Sequence, residues 1–157
     1  MDEVIAVLYD VSSAQRLIDM ARLVYGLGLR HFVVVKAYGA AASSGVPEVN
    51  RLALRLGKSL AVLPTLRDFV EIYKPGRIVV VSREYGEARP LEEIADMLLR
   101  GQKPVALLVG GIDPAPGKEA ATVGEAVYPA GAEARLGPVA EAALILYEAL
   151  RRSPAQR

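Results

Sequence analysis

Short apolar runs alternate along the chain with stretches of helical periodicity. Five runs are continuously apolar and rich in β-branched residues, which is typical of strands buried on both faces: residues 3–9, 31–36, 59–63, 77–82 and 104–109. Strands separated by helical stretches require crossover connections, and these favour parallel pairing. The pattern therefore predicts an α/β fold, with a mainly parallel sheet and helices on both faces.

Helical periodicity and capping residues predict five helices. Ser12 or Ser13 can cap the first one, which is expected to end at Gly26 and Gly28. The other four are predicted over residues 49–56, after Thr65, near Pro90, and from Pro138 to about Arg151. We find no internal repeat and no linker, so we expect a single domain over residues 1–152 with a frayed tail at residues 153–157.

Composition narrows the function classes. No apolar stretch approaches the roughly 20 residues of a membrane helix, and the N-terminal segment carries acids where a signal peptide carries Lys or Arg, which predicts a soluble, cytoplasmic protein with no membrane partner. The absence of cysteine excludes disulfides and cysteine-held metals, and we predict no metal site. With 19 Lys and Arg against 18 Asp and Glu, any contact with RNA must come from a local patch.

Three segments at predicted strand ends carry candidate chemistry. The first, DVSSAQR, places Asp10 and two hydroxyls before a helix and Arg16 about one turn inside it. Backbone donors and Arg16 could hold a phosphate or carboxylate there, or the segment could be a capped helix with a solvated arginine. The second, residues 36–48, is rich in small residues and could admit a ligand, admit another backbone, or serve as a flexible connector.

The third segment is the pair Gly110-Gly111 after the fifth predicted strand. The dinucleotide pattern GxGxxG is absent after the first strand, and the phosphate-binding pattern GxxxxGK followed by Ser or Thr occurs nowhere. Nicotinamide cofactors and P-loop nucleotide binding are therefore disfavoured.

Taken together, DVSSAQR, LLVGGIDPAPG and AVYPAG followed by LGPVAEAALILYEALR resemble the three motifs of the SpoU branch (TrmH-type) of the SPOUT RNA methyltransferases. Asp10 and Arg16 keep the spacing of the family's first-motif Asn and Arg. Residues 112–114 depart from the family's Ser-Glu-Gly, and Gly137 stands where the family has Asn. The whole chain is similar to a small archaeal-type SpoU-like group whose older label is RecB-family nuclease.

The resemblance implies a C-terminal deep trefoil knot that forms a pocket for S-adenosylmethionine, largely from backbone groups. The implied cofactor-binding residues are Leu108, Val109, Gly110, Gly111, Tyr128, Pro129, Gly131, Leu136, Gly137 and Val139. It also implies a homodimer in which Arg16 reaches the partner's cofactor site, and it makes Arg16 and Asp10 the candidate catalytic residues. The implied partner is RNA, either tRNA or rRNA, and the implied reaction is methyl transfer to a ribose 2′-oxygen.

Two alternatives stay open. Because Gly137 replaces the family's Asn, the chain could be a non-catalytic protein that binds S-adenosylmethionine or RNA on the same scaffold. A nuclease would need clustered carboxylates that hold magnesium, and Asp113, Lys118 and Glu119 are the compact candidates in the sequence. For RNA binding, Arg16, Arg22, Arg51 and Arg55 would form a basic surface if the first two helices lie side by side, although an ordinary solvated face has the same composition.

Overall fold

A computed structural model describes residue 1, residues 3–112 and residues 116–154 of the protein. The strands are β1 (Val4–Val11), β2 (His31–Ala37), β3 (Ser59–Leu63), β4 (Arg77–Val81), β5 (Glu87–Arg89), β6 (Val105–Gly110) and β7 (Glu125–Pro129). The helices are α1 (Ala14–Gly26), α2 (Val46–Leu56), α3 (Leu66–Tyr73), α4 (Leu91–Arg100), α5 (Lys118–Ala121) and α6 (Pro138–Arg152). Residues 155–157 of the predicted frayed tail lie outside the described residues.

The strands form one 7-stranded sheet in the order β3-β2-β1-β6-β4-β7-β5. Every neighbouring pair is parallel, which confirms the predicted α/β class. The chain extends the sheet from β1 to one side through β2 and β3, and then places its later strands on the other side. The order therefore reverses between β1 and β6, and such reversal points are where open α/β sheets bind ligands.

Side chains of the central strands alternate between two buried layers. On one face, Leu8 and Leu107 belong to a cluster with residues of α1, α2, α4 and α6. On the other face, Val7 and Leu108 pack with Phe69 of α3 and with α5. Helices therefore cover both faces, as predicted. No helix within the described ranges has the length and apolar character needed to cross a bilayer.

The helix ends follow the predicted capping residues. Ser13 rather than Ser12 caps α1, because its hydroxyl accepts a hydrogen bond from the backbone N–H of Arg16 at 3.1 Å. Thr65 caps α3 by accepting from the backbone N–H of Asp68 at 3.1 Å. Gly28, with φ of 90°, follows the end of α1. The segment that follows β1 is thus a capped helix, and Arg16 lies on the first turn of that helix.

The small-residue segment after β2 is helical rather than open. A π-helical turn at Ala41–Gly45 leads directly into α2, which begins at Val46 rather than at the predicted residue 49. A Cβ at Gly45 would lie 3.0 Å from Leu17 Cδ2 and 3.2 Å from Ala14 Cα. The small residue therefore lets this turn pack closely against α1. Of the three alternatives that the sequence left open, the segment thus admits another backbone.

Candidate cofactor and catalytic site

The carboxyl ends of β1 and β6 meet where the strand order reverses. Tyr9 is in register with Gly110, and the backbone N–H of Gly111 donates to the carbonyl of Tyr9 at 2.8 Å. A Cβ at Gly111 would lie only 2.6 Å from the backbone oxygen of Asp10. Glycine is therefore required where the chain leaves β6, and it brings the first and second motif segments into direct contact.

Two guanidinium groups bind the carbonyl oxygens at the end of β6. Arg16 Nη1 donates to the carbonyl of Gly111 at 2.7 Å, and Arg135 Nη2 donates to the carbonyl of Gly110 at 2.8 Å. Burial lowers the pKa of Arg135, and the positive charge of Arg16 acts in the same direction. Two neighbouring cations therefore make this end of β6 suited to a negatively charged group.

An open groove of about 560 Å³ lies between α1 and the start of α6. Ser13, Gln15, Arg16, Asp19 and residues 136–140 line it together with Ala143. Three of the predicted cofactor-binding residues, Leu136, Gly137 and Val139, thus border the same groove as Arg16. Its volume lies in the range of small-molecule sites.

Gly137 has φ of 90° and ψ of 159° immediately before α6. This backbone region is essentially restricted to glycine, so the departure from the family's Asn has a conformational reason. A Cβ at Gly137 or at Gly131 would meet nothing within 4 Å. At two of the predicted cofactor-binding positions, the backbone before α6 therefore has free space where a side chain would stand.

A buried tyrosine–glutamate pair holds this loop from behind. The hydroxyl of Tyr128, which is 3% exposed, donates to Glu141 Oε2 at 2.7 Å and accepts from the backbone N–H of Leu136 at 2.7 Å. Burial raises the pKa of Tyr128 to about 12. Glu141 is 1% exposed, and burial raises the pKa of its carboxyl, whereas the hydrogen bond from Tyr128 and the charge of Arg135 oppose that rise.

Sequence reasoning missed Glu141. Its signal is present, because Glu141 shares an apolar stripe of α6 with Ile145 and Ala149, which are both fully buried. A charged residue in such a stripe is rarely buried without a partner. The partner, Tyr128, is on β7, so the pair becomes visible only in the fold.

Asp10 lies at the same sheet edge but does not cap α1. Asp10 Oδ2 is 3.7 Å from Lys36 Nζ on β2. Asp10 Oδ1 is buried and has no hydrogen-bond partner among the described residues. A side-chain hydrogen bond with Asp10 raises the pKa of Tyr38, which follows β2. The second predicted catalytic residue is thus a carboxylate whose Oδ1 is enclosed and whose Oδ2 lies beside Lys36.

The other predicted positions fall into two groups. Leu108 and Val109 are fully buried in the sheet, and Pro129 is buried at the end of β7, so a ligand could meet only their backbone groups. Asp113 lies outside the described residues. Lys118 and Glu119 begin α5, apart from the groove lining.

The predicted basic surface is present only in part, because Arg16 donates to the carbonyl of Gly111 at the end of β6. Helices α1 and α2 pack against each other, and the guanidinium groups of Arg51, Arg55 and Arg22 together lower the pKa of Glu48. Three arginines from two helices therefore surround one carboxylate on an exposed face.

Comparison with known proteins gives a family for the chain. Residues 39–148, which are more than half of it, match the model of the family described as RecB-family nuclease (DUF2122). The chain belongs to this family. Two curated relatives carry the name "Putative type II restriction enzyme". One, from Aeropyrum pernix, is 49% identical over 150 residues and covers 95% of this chain and 94% of the relative. The other, from Methanocaldococcus jannaschii, is 30% identical over 77 residues, which are 49% of this chain and 53% of the relative.

Solved structures with the same fold are methyltransferases by name. A probable methylase family protein from Haemophilus influenzae matches with a TM-score of 0.77 at 14% identity, over 96% of this chain and 64% of its own. The SpoU methyltransferase AviRb from Streptomyces viridochromogenes matches with a TM-score of 0.72 at 20% identity, over 100% of this chain and 62% of its own. A structure described in terms of 2-OH methylation of C/U34 on tRNA matches with a TM-score of 0.72 at 23% identity, over 95% of this chain and 89% of its own.

These likenesses confirm the predicted SpoU-type fold. The chain spans less than two thirds of the length of the first two of these structures. The predicted similarity to a group labelled RecB-family nuclease agrees with the description of the family to which the chain belongs.

Proposed function

We propose that the protein is an S-adenosylmethionine-dependent RNA methyltransferase that modifies a ribose 2′-oxygen. The observation that carries this proposal is the convergence of Arg16, Gly111 and the loop before α6 on one sheet edge. Arg16 contacts the carbonyl of Gly111 at 2.7 Å and lines a groove together with Leu136, Gly137 and Val139. The methyltransferase names of the structures that share this fold support the same reading.

The residues present fit the cofactor. Gly131 and Gly137 present backbone with open space where a side chain would stand, and an adenosine-sized ligand held largely by backbone groups needs such space. The backbone of residues 108–111 and 128–131 and the loop of residues 136–139 would hold it. When bound, S-adenosylmethionine supplies the methyl group on a sulfonium centre.

The chain's own residues would handle the acceptor. Asp10 accepts the proton that leaves the ribose hydroxyl as its oxygen is methylated, at Oδ2, the carboxylate oxygen that lies 3.7 Å from Lys36 Nζ. Arg16 provides a fork of donors for the adjoining phosphate, next to the Gly111 carbonyl that it already contacts. The substrate class, tRNA or rRNA, follows the names of the structures that share the fold.

The proposal includes the remaining expectations from the sequence, which are a single domain over residues 1–152 and a cytoplasmic location. It also includes two features that the resemblance implies, a deep trefoil knot formed by the C-terminal region and a homodimer. In that dimer the resemblance has Arg16 serve the partner's cofactor site, whereas in one chain Arg16 borders the groove of its own chain. An apolar groove between α1, the start of α4 and α6, with Leu144 and Tyr147 exposed on α6, supports the homodimer. Burying such side chains is a common reason for association.

The test has a binding part and a transfer part. Calorimetric titration with S-adenosylmethionine and S-adenosylhomocysteine should show binding at micromolar concentration. Incubation of the protein with methyl-labelled cofactor and purified tRNA or rRNA should then yield 2′-O-methylated nucleosides. Arg16→Ala should lose transfer and keep cofactor binding, whereas Arg67→Ala should keep both, because Arg67 is an exposed residue of α3 whose ion-pair partner is Glu71.

Two outcomes would replace the proposal. Cofactor binding without transfer to any RNA would favour the non-catalytic alternative. That alternative is already supported by Gly137, which stands where the SpoU-type methyltransferases have Asn. No binding of either ligand by a folded protein would refute the methyltransferase assignment.

A nuclease is the second candidate, favoured by the family description and by one structural observation. Burial, and then the negative charges of Glu119 and Asp10, raise the pKa of Tyr9, so two carboxylates lie near the end of β1. Among the residues that the structure describes, no group of three or more His, Asp or Glu side chains could hold a metal ion. Magnesium-dependent cleavage of plasmid DNA that is lost in Glu119→Gln would establish this candidate, and no cleavage over a range of magnesium concentrations would exclude it.

A further inference from the structure

Two residues of opposite charge face each other in an unusual backbone conformation. Asp10 has φ of 65° and Lys36 has φ of 62°. They occupy matched positions on neighbouring strands, since Tyr9 pairs with Val35 and Val11 pairs with Ala37 on either side of them. Lys74, the third non-glycine residue with positive φ in the described ranges, ends helix α3, where this conformation is ordinary.

Positive φ is costly for residues with a side chain, and such residues cluster at functional sites. The surrounding structure imposes it here from both sides. The Tyr38 N–H donates to the carbonyl of Val11 at 3.0 Å, and the Ala41 N–H donates to the carbonyl of Ser12 at 2.9 Å. The chain that leaves β2 is thereby fixed to the chain that leaves β1.

This double distortion gathers three different chemical groups at the carboxyl edge of the sheet. Lys36 Nζ lies 3.7 Å from Asp10 Oδ2 and remains about half exposed. The ring of Tyr38, 42% exposed, stands beside them. An ion pair at 3.7 Å leaves the ammonium donors available for another anion.

Each of these groups suits one part of a nucleotide. An exposed aromatic ring stacks on a base, an ammonium binds a phosphate as a point charge, and a carboxylate oxygen accepts a hydrogen bond from a ribose hydroxyl. The groups also adjoin the proposed catalytic edge, since Asp10 is next to Gly111 in the fold.

We propose that Asp10, Lys36 and Tyr38 form the subsite for the acceptor nucleotide of a single-stranded RNA segment, with Tyr38 stacked on the base and Lys36 bound to its phosphate. The inference rests on the proposed function, because it identifies Asp10 as the residue that meets the ribose hydroxyl. It adds two residues from β2 and the segment after it that the sequence motifs do not include.

The test measures RNA binding and cofactor binding separately. Labelled total tRNA and a labelled single-stranded RNA of mixed sequence are titrated by fluorescence anisotropy at several salt concentrations, and S-adenosylmethionine is titrated by calorimetry. Tyr38→Ala should weaken binding of the single-stranded RNA about tenfold, because the stacking surface is lost, whereas Tyr38→Phe should retain it. Tyr85→Ala is the matched control, since Tyr85 is 45% exposed in the turn between β4 and β5.

Lys36→Gly removes the ammonium and relieves the backbone conformation, so the variant should fold. It should reduce the slope of log affinity against log salt by about 0.7, as expected for the loss of one phosphate contact. All these variants should bind S-adenosylmethionine like the wild type, and thermal melting should show them folded.

The outcomes separate this subsite from the proposed function. Wild-type affinity for RNA in both Tyr38→Ala and Lys36→Gly would overturn the subsite, even if methyl transfer is found. A wild-type protein that binds neither RNA probe would overturn it as well. Weakened RNA binding in these variants, in a protein that transfers no methyl group, would support the subsite while the proposed reaction fails.

Discussion

The Tyr128 hydroxyl joins three parts of the protein, and its removal in Tyr128→Phe should destabilise the fold measurably. The hydroxyl lies on β7, donates to Glu141 on α6 and accepts from the backbone of Leu136 in the loop between them, both at 2.7 Å. Phenylalanine keeps the ring and its packing. The variant therefore isolates the contribution of two hydrogen bonds.

The magnitude follows from what each partner loses. A buried polar group left without a partner costs about 1–3 kcal/mol, and more when it is charged. Glu141 is 1% exposed, so its carboxyl would carry a large part of that cost. Leu136 is partly exposed, so water can replace the hydroxyl at its N–H. We therefore expect Tyr128→Phe to lower the free energy of unfolding by about 2–3 kcal/mol.

Equilibrium unfolding in urea at neutral pH measures this loss of stability directly. The urea concentration at the midpoint should fall, while the dependence of the free energy of unfolding on urea concentration stays constant. Tyr85→Phe is the control, because the Tyr85 hydroxyl is exposed and forms no hydrogen bond to the described residues. It should change the free energy of unfolding by no more than about 0.5 kcal/mol. If the two variants behave alike, the reasoning about a loop locked by Tyr128 is wrong.

Three further expectations concern other parts of the site. Burial raises the pKa of Glu141 above its usual 4.5, so the folded carboxyl binds its proton more tightly than the unfolded one. The stability of the wild type relative to Glu141→Gln should therefore be greatest below about pH 4.5 and fall as the pH rises through the folded pKa. Urea unfolding across the pH range measures this difference. In thermal melts, Gly111→Ala should destabilise the fold by about 1–3 kcal/mol, because its Cβ would lie 2.6 Å from the Asp10 backbone oxygen. Gly26→Ala is the control and should be neutral or stabilising, because its Cβ would meet nothing within 4 Å. Tyr147→Glu, at a residue that is 55% exposed on α6, should convert the proposed dimer to a monomer in light scattering.

Contrary results have definite meanings. A pH-independent difference between wild type and Glu141→Gln would show that the carboxyl is not desolvated in solution. Equal melting of the two glycine variants would contradict the close approach of β1 and the chain after β6. A wild type that is already monomeric would remove the dimer from the proposal.

The sequence predicts the central strands well because they are buried on both faces and therefore continuously apolar. Strand β5 (Glu87–Arg89) escapes this reasoning, since it is a charged edge strand of 3 residues. The site shows the same contrast. Arg16 is predicted because its spacing from Asp10 is a local property of the sequence. Its hydrogen bond to Gly111, 95 residues later in the chain, depends on β1 and β6 being neighbours.

Lys36 and Glu141 could not be assigned a role from the sequence for related physical reasons. The positive φ of Lys36 occurs opposite Asp10 on another strand, between paired residues on both sides, and the residue type at position 36 does not indicate it. Glu141 is a single acid in an apolar stripe, and its burial makes sense only with Tyr128 beside it. Both are long-range effects that a local pattern does not encode.

The pairing of β1 with β6 also sets the order in which the candidate site can assemble during folding. Tyr9 and Gly110 are in register, so the loop that closes this contact includes most of the chain, and such long closures slow folding. During synthesis, α1 can form early, but Arg16 cannot reach its carbonyl partner until Gly111 has left the ribosome. The nascent protein therefore carries no assembled site before β6 and the residues that follow it have been synthesised.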